Sequence, residues 1–359
     1  MRIRKIDWQI AAAYVGTVIG AGFASGQELM QFFVRFGHLG LWGAAITGFL
    51  FSLLGGITVL MTQIYGFRTY KDLLELKLGT KMTAIIDSLI MIFLFLGLSV
   101  MLSGSGALFK EHLGMPALAG VMITEALVFL ALIARDEGVL WFNSILMPIL
   151  VAILVIVIAD GIAGTPAAGT ERTFDPFAGS LVSNSWLLSA FLYISYNMIS
   201  AVVVLVALTA NNRNCSIKGG VFGGIILFVL ALGSVTALLW AGSGIFSYQI
   251  PMLYLAYQVN PLVFYLYGTV LWGAMITTAI ANAYGLCNRL QFAWEMPYFL
   301  VVLMVMVFVI PFSLFDFAQL VSKVYPIFGY TSLIITFVLV GEVLLIIKQF
   351  FGNFLKRLT

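Results

Sequence analysis

The chain has 359 residues, 62% of them hydrophobic and 9% charged, with a mean hydropathy of +1.08 and a formal net charge of +3. This composition excludes an ordinary soluble domain and predicts a polytopic helical membrane protein in contact with a lipid bilayer. The basic residues sit in short loops, so the positive balance gives no sign of nucleic-acid binding.

Ten apolar segments long enough to cross ~30 Å of hydrocarbon are read at 8–35, 39–65, 82–108, 116–134, 138–160, 182–209, 217–242, 261–286, 296–315 and 320–348. With the N-terminus inside, fourteen Lys and Arg fall on the cytoplasmic side and four (Arg35, Lys110, Arg172, Lys323) outside. The bias predicts a multi-pass protein with both termini cytoplasmic. Met1 to Lys5 is basic, but the following apolar run is long and lacks a small-residue cleavage pattern, so no cleavable signal peptide is expected. Cys215 and Cys287 fall at predicted cytoplasmic ends, against a structural disulfide. His38 and His112 form no metal pattern. No nucleophile–base pair, phosphate loop or catalytic carboxylate pair is found, and an enzyme is not expected.

The first segment carries Gly16, Gly20, Gly22 and Gly26 with Thr17, Ser25, Gln27 and Glu28. Each interior glycine costs a helix roughly 1 kcal/mol relative to alanine. Four so close together predict a broken helix at mid-membrane, where irregular backbone survives only if protein buries it or it lines a wet cavity. Such a break frees N–H groups on one half-helix and C=O groups on the other, for an anion and a cation respectively. The Gly-xxx-Gly spacing also suits close helix packing; the rest of the chain favours the break.

The 160–180 loop lies outside the membrane and near the midpoint. Across it Tyr14 aligns with Tyr193, Gly40 with Gly220 and Met115-Pro116 with Met296-Pro297, at offsets of 179, 180 and 181. Five helices per half invert the second half, giving repeats at 1–180 and 181–359 in one integrated transmembrane domain, with the substrate at mid-membrane between corresponding broken helices. The second break is expected in segment six at Ser195, Tyr196, Asn197 and Ser200, whose side chains could alternatively bond back to helix carbonyls. In segment eight, the adjacent Thr277 and Thr278 can turn oxygens toward one neighbour, as a hard cation requires.

On these features the chain resembles the LeuT-fold transporters of the amino acid–polyamine–cation superfamily, by topology over all ten segments and by motif in segments one and eight. The resemblance implies an all-α membrane fold with a 5+5 inverted repeat and helices one and six unwound. In sodium-coupled members, two segment-one carbonyls, a segment-eight carbonyl and two segment-eight hydroxyls hold the ion. Carried over, these are Gly16, Ile19, Ala274, Thr277 and Thr278. A second sodium site is not implied, because Phe23 stands where those members place asparagine. Proton-coupled relatives can place a segment-five lysine at the sodium position, and segment five here has none. The Gly-Thr-Val-Ile-Gly-Ala-Gly-Phe-Ala-Ser-Gly-Gln-Glu signature, 16–28, is similar to that of YkvI-type bacterial membrane proteins, which implies an inner-membrane location.

The substrate pocket is expected from the backbone at Gly20, Ala21, Gly22 and Phe23, from Ser99 and Ser103 of segment three, and from the polar residues of segment six. No deep acid or base matches a charged substrate side chain, which points to a small neutral amino acid or similar zwitterion. Glu28 and Lys323 are read as an outer gate, with a Glu28–Arg35 pair as the alternative. Asp87 and Glu342 fall near cytoplasmic ends, suited to an inner network. Glu125 lies in a peripheral segment, and Asp136 and Glu137 lie in a loop. The function implied is sodium-coupled symport by alternating access. The alternatives are a proton-coupled transporter or exchanger, a non-transporting ligand receptor, and a channel.

Overall fold

The computed structural model describes residues 4–134, 138–164, 177, 179–210, 212 and 215–356. Asp136, Glu137 and the side chain of Glu342 lie outside the described part, as does most of the 160–180 loop.

Segment one divides into three short helices: α1 (Lys5–Val18), α2 (Ala21–Ser25) and α3 (Gln27–Phe32). There follow α4 (His38–Tyr65), α5 (Tyr70–Leu113), α6 (Ala117–Ala134), α7 (Gly138–Ala163), α8 (Trp186–Ala210), α9 (Lys218–Trp240), α10 (Pro251–Val259), α11 (Pro261–Trp294), α12 (Tyr298–Ser313) and α13 (Phe317–Lys356). Among the described residues, eight of these helices are long and apolar enough to span a bilayer, and α12 is a shorter apolar helix. With the divided first segment they match the ten expected segments. The addition is α10, nine residues between segments seven and eight that begin at Pro251, too short to register as a span.

Local signals set the boundaries. Asp7 accepts the Arg4 N–H at the start of α1 and also the Ser216 N–H, at 2.7 Å, from the turn before α9. Thr69 and Asp72 form a capping box at the start of α5, which closes two otherwise orphaned N–H groups. Asn260 Oδ1 accepts the Val263 N–H ahead of Pro261, a proline-first helix start.

The helices pack as two groups. In one, α1, α4, α8 and α9 contact one another; in the other, α5, α6, α11 and α12 do. α7 touches both α9 and α11, and α13 touches both α8 and α5. The tightest crossing is α4 on α9, where Gly55 and Gly56 of α4 face Gly220 and Val221 of α9. In lipid no hydrophobic gain drives helices together, so backbone approach through small residues carries the association. A Cβ on Gly220 would overlap the Gly55 carbonyl. Gly220→Ala is therefore expected to cost about 1–3 kcal/mol through overpacking, read as a lower unfolding temperature in detergent. Gly341→Ala, where a Cβ meets nothing within 4 Å, should lower it by far less.

Candidate substrate and ion site at the helix break

The first helix breaks where its glycines predicted. Ile19 takes φ −81° and ψ 67°, and Gly20 is extended at φ −82° and ψ −176°. The Ile19 N–H still closes on the Val15 carbonyl, and the next bond is from the Ala24 N–H to the Gly20 carbonyl. Among the described residues, no backbone bond joins N–H groups 20–23 to carbonyls 16–19. The freed carbonyls include those of Gly16 and Ile19. A second interruption follows at Gly26, with φ +81°; only glycine accepts that conformation cheaply. A Cβ there would also stand 2.7 Å from Met252 Cγ of α10.

The two sides of the break differ in exposure. Residues 21–34 are buried without exception, whereas Gly16, Thr17 and Gly20 are half-buried. A Cβ at Gly20 would meet nothing within 4 Å. Packing around the break is thus looser on its N-terminal side than on the half that follows. Tyr267 of α11 contributes to the packing of that half by donating its hydroxyl to the Ala24 carbonyl.

On α11, Ala274 and Thr277 are buried, Thr278 is half-buried, and Thr277 Oγ1 donates to the Ala274 carbonyl at 3.1 Å. The five carried-over ion ligands are all neutral oxygens, at the C-terminal end of α1 and on one turn of α11. α2 packs directly on α11.

The second break does not form. α8 is one continuous helix through Ser195, Tyr196, Asn197 and Ser200, correcting the expectation that helix six unwinds. Two of its polar side chains bond back within the helix: Ser195 Oγ donates to the Phe191 carbonyl at 2.5 Å and Asn197 Nδ2 to the Tyr193 carbonyl at 3.0 Å. Ser195 also accepts from Thr336 of α13 at 2.9 Å. Ser200 is half-buried. Ser99 bonds back to the Phe95 carbonyl, and Ser103 donates to the Phe315 carbonyl at 2.5 Å, so both hydroxyls of segment three serve structural bonds.

The Glu28–Lys323 pair does not form either. Lys323 is exposed, while Glu28 is buried and accepts the Tyr196 hydroxyl on Oε2. Tyr196 in turn stacks on Tyr325, with centroids 5.1 Å apart and planes 11° apart. Arg35 reaches Asn184 Oδ1 instead of Glu28. Sequence reasoning missed Tyr193, Tyr267 and Tyr325. Their signal was a phenol deep in an apolar segment, whose hydroxyl needs a partner once buried. Asp87 does join a polar network: it pairs with Arg289 at 2.8 Å and Lys71 at 3.1 Å and accepts from Tyr70 at 2.7 Å. Glu125 is buried on α6, and its Oε2 has no hydrogen-bond partner.

A helical membrane bundle in two packed groups, with a broken first helix between them, defines the LeuT class of fold. The inward-facing conformation of Mhp1, a LeuT-fold protein, is similar to the chain at a TM-score of 0.56 over 85% of this chain and 69% of Mhp1, at 17% identity. No family model matches. The uncharacterized membrane protein YkvI of Bacillus subtilis (strain 168) is 33% identical over 330 residues, 90% of this chain and 92% of YkvI. YyaD of the same organism is 28% identical over 327 residues, 89% of the chain and 91% of YyaD. The chain belongs to the YkvI family of membrane proteins.

Tyr267→Phe is expected to leave the buried Ala24 carbonyl unsatisfied at a cost of about 1–3 kcal/mol. The loss is measured as a fall in unfolding temperature against the exposed control Tyr265→Phe.

Proposed function

We propose that the protein is a sodium-coupled symporter of a small neutral amino acid or similar zwitterion. It works by alternating access in the bacterial cytoplasmic membrane, with both termini inside and with repeats at 1–180 and 181–359. The observation that carries this reading is the interrupted backbone at Ile19–Gly20, with half-buried Gly16, Thr17 and Gly20 at the break and wholly buried residues after it. Irregular backbone at membrane depth is tolerated where it lines a cavity. Mid-membrane half-helices at the junction of two helix groups are the usual substrate position in transporters of this design.

The Gly16, Ile19 and Ala274 carbonyls with the Thr277 and Thr278 hydroxyls supply neutral hard oxygens, a donor set suited to sodium and poor for softer metals. Bound there, sodium would supply the charge that holds α1 against α11. The N–H groups of 20–23, which no carbonyl of 16–19 accepts, suit a carboxylate. Gly20 and Gly26 are the backbone joints about which α2 and α3 can turn when the outer half opens. Proton coupling is the second reading, favoured by Glu28, a buried carboxylate on the same broken segment.

Uptake into proteoliposomes separates these readings. Accumulation driven by an inward sodium gradient at equal pH is expected. Accumulation driven only by a pH gradient moves the coupling to Glu28, and saturable binding without accumulation leaves a receptor. Thr277→Ala should weaken the apparent affinity for sodium at least tenfold, with its unfolding temperature in potassium close to wild type. Unchanged sodium affinity in that variant removes the proposed ion site.

A further inference from the structure

Glu28 is surrounded by groups that leave its charge unanswered. Oε2 accepts the Tyr196 hydroxyl. Oε1 lies over Gly22, filling the space a Cβ would take, with the Tyr325 hydroxyl 3.1 Å from that position. No Lys or Arg among the described residues pairs with the carboxylate, whose side-chain bond is to Tyr196. Gln31 lies three positions on, hence on the same face of α3, and its Oε1 is buried with no hydrogen-bond donor. The Tyr193 hydroxyl is buried beside the same carboxylate, with its ring edge-on to Tyr196 at 5.4 Å. The hydroxyls of Tyr193, Tyr196 and Tyr325 gather at the carboxylate and their rings wall it, but no cation among the described residues answers its charge. An ammonium group brings three donors, no acceptor and one positive charge, and aromatic faces favour it further. A carboxylate buried without a cation is costly; such a charge is retained where a cation arrives to meet it.

We propose that Glu28, backed by Tyr196 and Tyr325, is the subsite that receives the positively charged nitrogen of the substrate. This rests on the transporter reading and deepens it: the substrate must carry a cationic nitrogen, and Glu28 is a substrate-contact residue, with no gate role toward Lys323. Gly22 is the small residue that lets Oε1 reach the break. The contact with Tyr196 and the Tyr196–Tyr325 stack close the subsite in this conformation, and entry requires α3 to part from α8.

The test is ligand-dependent thermal stability of the purified full chain in sodium and in potassium, since a ligand that binds only the folded state raises its stability. The probes are L-alanine and L-leucine, each against the 2-hydroxy acid of the same skeleton, which keeps the carboxylate and replaces ammonium by hydroxyl. Wild type should respond to an amino acid at concentrations at least tenfold below its hydroxy acid. Glu28→Gln should weaken amino-acid affinity at least tenfold and erase that preference while keeping the shift given by sodium alone. If Glu28→Gln does not fold, Gly22→Ala, which displaces Oε1, carries the same expectation. Tyr196→Phe keeps the carboxylate and should retain the preference with weaker affinity. Unchanged amino-acid affinity in Glu28→Gln overturns the inference. So does loss of the sodium shift with amino-acid binding intact, which would make Glu28 an ion ligand. A wild type that responds to sodium and hydroxy acids but not to ammonium ligands also overturns it and leaves the symporter standing. An amino-acid preference lost in Glu28→Gln, with no sodium effect in wild type, supports the subsite and removes sodium coupling. A flat response to every probe overturns both.

Discussion

Within a bilayer, every backbone N–H and C=O must find a partner inside the protein, and most of this structure follows from how that demand is met at one place. Helices α4, α6, α8, α9 and α11 meet it within themselves, and α5, α7, α12 and α13 do so except at the Gly79 kink and at Pro148, Pro311 and Pro326. The first segment does not: between Val18 and Ala21 the ladder stops, and carbonyls 16–19 and N–H groups 20–23 are left over. They are affordable only because two helix groups enclose the break, α1 against α8 and α9 on one side and α2 against α11 on the other. The carbonyl left at Ala24 where α2 ends is taken by Tyr267. The site is therefore a packing problem before it is a chemical one.

The glycines that face other helices solve that problem. α4 and α9 cross with Gly55 and Gly220 backbone to backbone, and Gly223 lies against Tyr14. Tyr14 is wholly buried and donates to the Phe51 carbonyl at 2.9 Å. The close crossing fixes α4 and α9 as one surface, on which α1 lies up to its break. Glycine thus has two roles in the chain, opening a backbone at 20 and 26 and closing an interface at 55 and 220.

These two roles explain what could be read from sequence and what could not. The break at Gly20 was legible because several glycines in one turn or two lower helix stability cumulatively, whatever the surroundings. The supposed break at Ser195–Ser200 was misread because serine and asparagine are ambiguous. Their side chains can replace a lost backbone bond or, as Ser195 and Asn197 do here, bond back to carbonyls of an intact helix. The ten spans were legible from length and apolarity, whereas α10 was not, since nine residues leave no periodic signal to separate from a loop. The Glu28–Lys323 pair failed for a different reason. Sign and approximate depth suggested it, but partner choice depends on helix rotation, which turns Glu28 toward Tyr196 and leaves Lys323 exposed.

The polar ties also fall in a pattern that bears on movement. The turn before α9 is held to the start of α1 by Asp7 and to α4 by the Gln63–Cys215 contact, all inside one group. Asp87, Arg289 and Tyr70 bind α5 to α11, and Trp272 donates to Thr124 to bind α11 to α6, all inside the other. Each group is thereby stiffened as a body. The crossing between them after the break depends on slighter elements: the Tyr267–Ala24 bond, and α10, which lies against Gly26. α10 is strapped in place by Glu111, which accepts the Gln249 and Ile250 N–H groups at 2.6 and 3.1 Å, and by Gln249, whose Oε1 accepts the Phe317 N–H at 2.8 Å. Two stiff bodies joined by few bonds can move against each other without breaking either body. The proposed alternating access asks for that division.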